Sequence, residues 1–269
     1  QTNAKNWKNV NYAGDNLEGH NLDIYVPEGG KPANVIVIIY GSAWFSNNSK
    51  DAAFQSIGKP LIDAGFAVVS INHRSSTEAK WPAQINDVKA AIRFVRANAA
   101  TYGFDTSFIG ITGYSSGGHL SAFAGVSNNV KKFTVGNTTL DIEGNVGNYA
   151  NMSSNVDAVV DWFGPVDMSK MENCNNPKGA DSPEAVFLGC NPKENPDLVA
   201  LCSVNAYIDK TDVPFLIFHG TADKVVPYCQ SDSFYKNLQN TGVKSRFISV
   251  PEAGHGPGCF AAPNFKLMT

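Results

Sequence analysis

Short runs such as Val35–Ile39 and Ala67–Ile71 are apolar at nearly every position, and runs like them recur along the chain with helical patterns between. A strand that is apolar on both sides has to be covered on both sides, and the fold that does this is a mainly parallel sheet with helices packed against each face. The remaining runs that read as strands are Leu22–Val26, Phe108–Thr112, Val156–Val160, Phe215–Phe218 and Arg246–Val250. Between them, helical patterns cover Ala52–Ala64, Pro82–Ala100, Ser116–Val126 and Ser231–Gln239; in the second, Ile85, Val88, Ile92 and Val95 recur at helical spacing. The expectation is a doubly wound α/β layer structure. Residues 1–269 are read as a single domain, with insertions at about 127–155 and 167–212, the longer one shaping a pocket.

Composition narrows the function classes. With a net charge of −3 and only 17% charged residues in 269, the chain lacks the basic excess that nucleic-acid binding requires. Its longest apolar run, Val35 to Tyr40, falls far short of the ~20 residues that cross a bilayer. The sequence opens at Gln1 with no charged-then-apolar leader, which leans toward a processed, secreted or periplasmic protein. Five cysteines, at 174, 190, 202, 229 and 259, have neither C-x-x-C pairs nor a His spaced to complete a zinc site, so no metal is expected. In an exported chain, four of them could make two disulfides. Cys229 and Cys259 follow the two candidate triad loops described below and are the first expected pair; Cys190 with Cys202 is the second, leaving Cys174 free. Three N-x-S/T triplets, at Asn47, Asn137 and Asn151, are no more than chance provides.

The chemistry concentrates at Gly113-Tyr114-Ser115-Ser116-Gly117, a G-x-S-x-G pattern. The strand Phe108–Thr112 ends just before it and a helix starts just after. In that setting a strained turn presents a serine hydroxyl at the end of a sheet. Serine is a weak nucleophile at neutral pH and needs a base and an acid, which on such a fold follow in the order Ser, Asp or Glu, His. Asp223 lies in the loop after the strand Phe215–Phe218. His255 follows the strand Arg246–Val250 and is flanked by Gly254 and Gly256. Asp161 and Asp167, after an earlier strand, are rival acids; Asp223 is favoured by its place after the penultimate strand. His20, His73, His119 and His219 are read as structural. Backbone donors for the developing oxyanion would come from Tyr40-Gly41-Ser42-Ala43-Trp44, after the strand Val35–Ile39, together with the Ser116 amide.

These segments, with the continuation Gly118-His119-Leu120, the stretch Asp161-Trp162-Phe163-Gly164-Pro165, the run His219–Asp223, the helical Trp81-Pro82-Ala83-Gln84 up to Asp87, and Arg93-Phe94-Val95-Arg96, resemble α/β-hydrolase-fold esterases. The bifunctional feruloyl and acetylxylan esterase group is the nearest likeness, with relatives of hormone-sensitive-lipase type. The resemblance implies a sheet of about eight strands, a serine esterase without cofactor, an oxyanion hole from the amides of Ser42, Ala43 and Ser116, and Trp44 and Trp162 near the substrate. The substrate it implies is an acylated plant cell-wall carbohydrate. A general small-ester carboxylesterase or lipase, and a hydrolase-fold binding protein without catalysis, stand as alternatives. In that group a His usually stands where this chain has Tyr40, so Tyr40 must anchor the loop by a different hydrogen bond. The short, polar, Pro-rich insertion 167–212 favours small or aromatic acyl groups over long fatty chains.

Overall fold

Successive side chains of a strand point to opposite faces, and the third strand shows what this dictates: Val35, Val37 and Ile39 enter one apolar core while Ile36 and Ile38 enter another. The computed structural model describes residues 3–269. Its main sheet has eight strands in the order β1-β2-β4-β3-β5-β8-β9-β10. These are β1 (Ala4–Asn11), β2 (Asn21–Pro27), β3 (Ala33–Ile39), β4 (Ala67–Ile71), β5 (Phe104–Tyr114), β8 (Ala158–Trp162), β9 (Phe215–Gly220) and β10 (Ser245–Val250). From β4 to β10 every pairing is parallel; β1 and β2 run antiparallel at one edge.

One face is covered by α3 (Ala83–Ala97), α5 (Ser116–Val126) and α8 (Cys229–Thr241), with the short α4 (Ala99–Tyr102) leading into β5. The other is covered by α1 (Lys50–Ala53), a π-helical stretch Phe54–Gly58, α2 (Lys59–Asp63) and the C-terminal α9 (Ala262–Met268). The sequence reading took residues 52–64 as one helix; the structure passes them through a π-helical stretch instead.

Several elements lie outside the expected pattern. β1 reads AKNWKNVN, too polar to register as a strand. It pairs only with β2, and its bulge between Trp7 and Val10 is lined by Lys8, which bonds Asp23 and Asp51, so charge blunts the sheet edge. The first insertion folds into a hairpin of β6 (Lys132–Val135) and β7 (Thr138–Asp141). It is fastened to α3 by Glu143, which accepts hydrogen bonds from Arg93 at 2.9 Å and Ser154 at 2.7 Å. The second insertion carries α6 (Pro183–Leu188) and α7 (Pro196–Leu201). No helix among the described residues is long and apolar enough to cross a membrane.

The cysteines depart from expectation. The disulfide joins Cys174 to Cys229, while Cys190, Cys202 and Cys259 are free. Cys259 packs into the apolar core with Trp162, Phe163 and Phe218, whereas Cys229 opens α8 on the opposite face of the sheet. Nearness of two loops to the triad says nothing about which side of the sheet each thiol faces. Cys202 turns onto its own helix and donates to the Val199 carbonyl instead of meeting Cys190.

Candidate active site

Strand order reverses around β3: its chain neighbour β4 lies on one side and β5 on the other. Crevices beyond the carboxyl ends of strands at such a switch point are where open α/β sheets bind ligands. β3 runs out into Tyr40–Trp44 there, and β5 into Ser115.

Ser115 sits at φ 55° and ψ −122°, a region that non-glycine residues rarely occupy. The conformation is held from both sides. Its N–H donates to the Trp162 carbonyl at 2.9 Å, and its carbonyl accepts from the His119 amide at 3.1 Å. Gly117 is required for close approach, since a Cβ there would overlap the Ile39 and Tyr40 carbonyl oxygens. The same crowding holds at Gly113, where an added Cβ would come within 2.6 Å of the Ile39 carbonyl oxygen, so the elbow sits pressed against β3.

The three side chains singled out in the sequence come together. Ser115 Oγ lies 2.9 Å from His255 Nε2, and His255 Nδ1 lies 2.8 Å from Asp223 Oδ2. A carboxylate can only accept, so Nδ1 carries the proton and Nε2 presents its lone pair to the serine hydroxyl. The Asp223 side chain is closed off from solvent, and burial alone would raise its pKa. Hydrogen bonds from His219 and His255 and from the amides of Val226 and Val225, the latter two at 2.9 Å, outweigh that cost and hold the carboxyl well below the usual carboxylate range. His219, read as structural, is a support for this acid: its Nε2 donates to the Val226 carbonyl at 2.9 Å and lies 3.3 Å from Asp223 Oδ2.

The rival acids lie elsewhere. Asp167 caps a short 3-10 turn through the Ser169 amide. Asp161 is sealed beneath the elbow, accepting from the Gly164 amide at 2.8 Å with its other oxygen unpartnered. Burial pushes its pKa up to about 8.

The three expected oxyanion donors do not stand alike. The Ser42 amide is already engaged, donating to Ser116 Oγ at 2.9 Å. The amides of Ala43 and Ser116 are left without a partner among the described residues, and both residues line the cavity at Ser115. Ser42 thus positions the loop while Ala43 and Ser116 offer donors. Ala43 and Trp44 both have positive φ, at 50° and 63°. The strained pair is held by Trp44, whose carbonyl accepts from the Ser76 amide at 2.9 Å and whose indole N–H donates to His119 Nδ1 at 3.2 Å. His119 in turn donates from Nε2 to the Cys202 carbonyl at 2.8 Å, and burial lowers its pKa to about 4. Tyr40 anchors the loop as its substitution for His demands: its hydroxyl donates to the Ser46 carbonyl at 2.9 Å and accepts from the His73 amide at 3.4 Å.

The tryptophans divide. Trp44 lines the cavity with one edge, though it is only 2% exposed and stacks on Phe187 at 4.3 Å. Trp162, expected near the substrate, has no free face: it is fully buried, stacked on Phe218 at 4.1 Å, with Phe260 and Phe265 edge-on. As the last residue of β8 it points into the core beneath the elbow. The helical motif around Asp87 also proves structural, since Asp87 collects hydrogen bonds from Arg74 and His20 and fixes the loop after β4.

The cavity beside Ser115 has a volume of about 240 Å³. Ala43, Trp44, Ser115 and Ser116 form its floor; its far wall comes from Met171, Lys178, Pro183 and Glu184 of the second insertion, which shapes the pocket as its place in the sequence led one to expect, although the individual residues were not singled out there. That wall is fastened by the Cys174–Cys229 disulfide and by Gln230 of α8. The Gln230 carboxamide accepts from the Val166 and Asp167 amides, both at 2.8 Å, and donates to the Asp167 and Lys170 carbonyls.

Comparison with known proteins agrees with this fold and with an esterase. A carbohydrate esterase from gut microbiota, in truncated form, superposes with a TM-score of 0.98 at 61% identity, over 99% of this chain and 94% of that one. A bifunctional GH43-CE protein of Bacteroides eggerthii superposes at 0.95 with 59% identity, over 98% of this chain and 34% of its own. Esterases LipQ and LipC of Mycobacterium tuberculosis are 32% and 30% identical, each over 84% of this chain. This chain spans about half the length of those curated relatives. The sequence profile of the BD-FAE family matches residues 22–238, and the chain belongs to that family.

Proposed function

We propose that the protein is a serine carboxylic-ester hydrolase that deacylates plant cell-wall carbohydrate, acetylated or feruloylated xylan, through an acyl-enzyme on Ser115. The observation that carries this reading is the unbroken hydrogen-bonded line from Ser115 through His255 to Asp223, set beside the unpartnered amides of Ala43 and Ser116. The carbohydrate side of the reading is supported by the names of the two similar structures, a carbohydrate esterase and a bifunctional GH43-CE protein.

In this mechanism Ser115 Oγ bonds to the ester carbonyl carbon as its proton passes to His255 Nε2, and Asp223 stabilises the imidazolium through Nδ1. The carbonyl oxygen, now anionic, accepts from the Ala43 and Ser116 amides, which are fixed before the reaction and cost no reorganisation. The carbon–oxygen bond to the alcohol then breaks, and the departing oxygen takes the proton from His255. Water attacks the acyl-serine, giving a proton to Nε2. When the carbon–Oγ bond breaks, that proton returns to Ser115 and the carboxylic acid leaves. All three groups sit on loops at strand ends, so the sheet rather than the substrate sets their spacing. The disulfide supports an exported protein, because such bonds persist in oxidising compartments.

The test is a panel of acetylated xylan, methyl ferulate and nitrophenyl esters of graded chain length, run with the wild type and Ser115→Ala. Turnover of the carbohydrate or feruloyl esters, lost by about 10⁴-fold or more in Ser115→Ala, is the expected result. Preference for nitrophenyl esters of ten or more carbons would transfer the protein to the lipase-like class, and a tenth of the activity left in Ser115→Ala would remove the serine from its role.

A further inference from the structure

Among the described residues, buried acids face a lysine, arginine or histidine partner, with two exceptions. Asp23 meets Lys8 and Lys50, Asp87 meets Arg74 and His20, and Glu143 meets Arg93 and Lys89. Of the exceptions, Asp161 is sealed under the elbow, while Glu184 lines the cavity that holds Ser115. Glu184 stands in the first turn of α6, is 6% exposed, and has its Oε2 buried with no hydrogen-bond partner. Burial raises its pKa; its own backbone amide, the charge of Lys178 lining the same cavity and the Ser182 side chain act against that, and Lys178 does not close to an ion pair among the described residues. An acceptor buried without a donor is costly, and a ligand hydroxyl brought to the carboxylate relieves that cost. The rest of the wall, Trp44, Pro165, Met171, Val225 and Val226, is apolar and offers it nothing. An apolar cavity with a few convergent polar groups is the usual form of a site that orients one ligand.

We infer that Glu184 and Lys178 read a hydroxyl group on the ring of the ester substrate: the hydroxyl donates to the Glu184 carboxylate, while Lys178 donates to an oxygen beside it and the ring lies against Trp44 and Met171. This rests on the ester-hydrolase reading above and gives it a selectivity element outside the triad. A sugar hydroxyl on the alcohol side and a phenolic hydroxyl on the acyl side share this chemistry. A site built to bind a hydroxyl discriminates strongly against the analogue that lacks it, because its own polar groups are then left unpaired.

The experiment measures kcat/KM for two substrate pairs: a methyl 2-O-acetylxyloside against its 3-deoxy counterpart, and methyl ferulate against methyl 3-methoxycinnamate. In the wild type the hydroxylated member of one pair is expected to be favoured by about 10²-fold or more, and the pair that responds identifies the source of the hydroxyl. Glu184→Leu should collapse that ratio to within about fivefold of unity, whereas Glu184→Gln, which keeps an acceptor oxygen, should retain most of it. Lys178→Met gives a second reading, a drop of about tenfold in the same ratio, should Glu184→Leu fail to fold. Ser115-dependent turnover with a ratio near unity in the wild type, or a ratio that survives Glu184→Leu in a protein that still melts cooperatively, overturns the assignment and leaves the hydrolase reading intact. Absence of turnover on all four esters overturns both.

Discussion

Replacing Asp161 by Asn should make the protein's stability less sensitive to pH, and the size of the effect follows from the site. Asp161 is fully buried, faces no cation, and has one oxygen bonded by Gly164 and the other by nothing, so burial raises its pKa from 3.8 to about 8. Between those values the unfolded chain carries this group ionised while the folded chain keeps it protonated. Folding therefore takes up a proton, and stability is lost as pH rises toward the folded value, flattening above it. The slope is about 1.4 kcal/mol per pH unit, which from about pH 5 to about pH 7.5 amounts to roughly 3 kcal/mol from this one side chain. Asn keeps the oxygen that accepts from Gly164 and has no charge to exclude. Urea unfolding of both proteins across that range should show the variant gaining on the wild type steadily as the pH rises. Esterase activity of the variant should stay within a few fold, as Asp161 contacts neither His255 nor Ser115. A difference between the two proteins that is flat with pH, or a variant that is the less stable at the alkaline end, would refute the argument.

Asp223→Asn should lower kcat by about 10⁴-fold with little change in KM, because the amide leaves His255 in the wrong tautomer; Asp167→Asn, assayed beside it, should remain near wild type. Ser116→Ala removes the acceptor for the Ser42 amide and is expected to cost about 1–3 kcal/mol of stability and to lower kcat more than it raises KM, read by calorimetry and steady-state kinetics. A non-reducing peptide map should recover Cys174 joined to Cys229, with Cys259 alkylated as a thiol after unfolding. Loss of this link, which spans 55 residues, by the Cys174→Ser, Cys229→Ser double change is expected to cost up to about 4 kcal/mol.

The parts of the protein that could be read in advance are those where one residue answers to one local constraint. The doubly apolar runs of β3 and β4 demanded cover on both sides, and the elbow's glycines announced a turn pressed against a neighbouring strand. Asp223 and His255 were legible from chain order, since each follows a strand. What escaped depends on contacts between distant segments. The Ser42 amide looked like a free donor until Ser116, 74 residues away, filled it. The family resemblance places Trp162 near the substrate, but the last residue of β8 faces the core. β1 was missed because an edge strand pairs through its backbone and needs few apolar side chains. The disulfide was misassigned because spacing along the chain does not say which face of the sheet a thiol takes.

The far wall of the cavity is furnished by one continuous stretch, from Met171 to Glu184, pinned to the rest by a single covalent link at Cys174, with Gln230 holding the residues just ahead of it. No residue of that stretch belongs to the triad or to the pair of free amides. The proposed attack geometry and the far wall of the cavity are therefore written in separate parts of the chain. A lineage, or an engineer, can exchange that stretch between its anchor points and alter the shape of the cavity while the proposed bond-breaking apparatus is inherited unchanged.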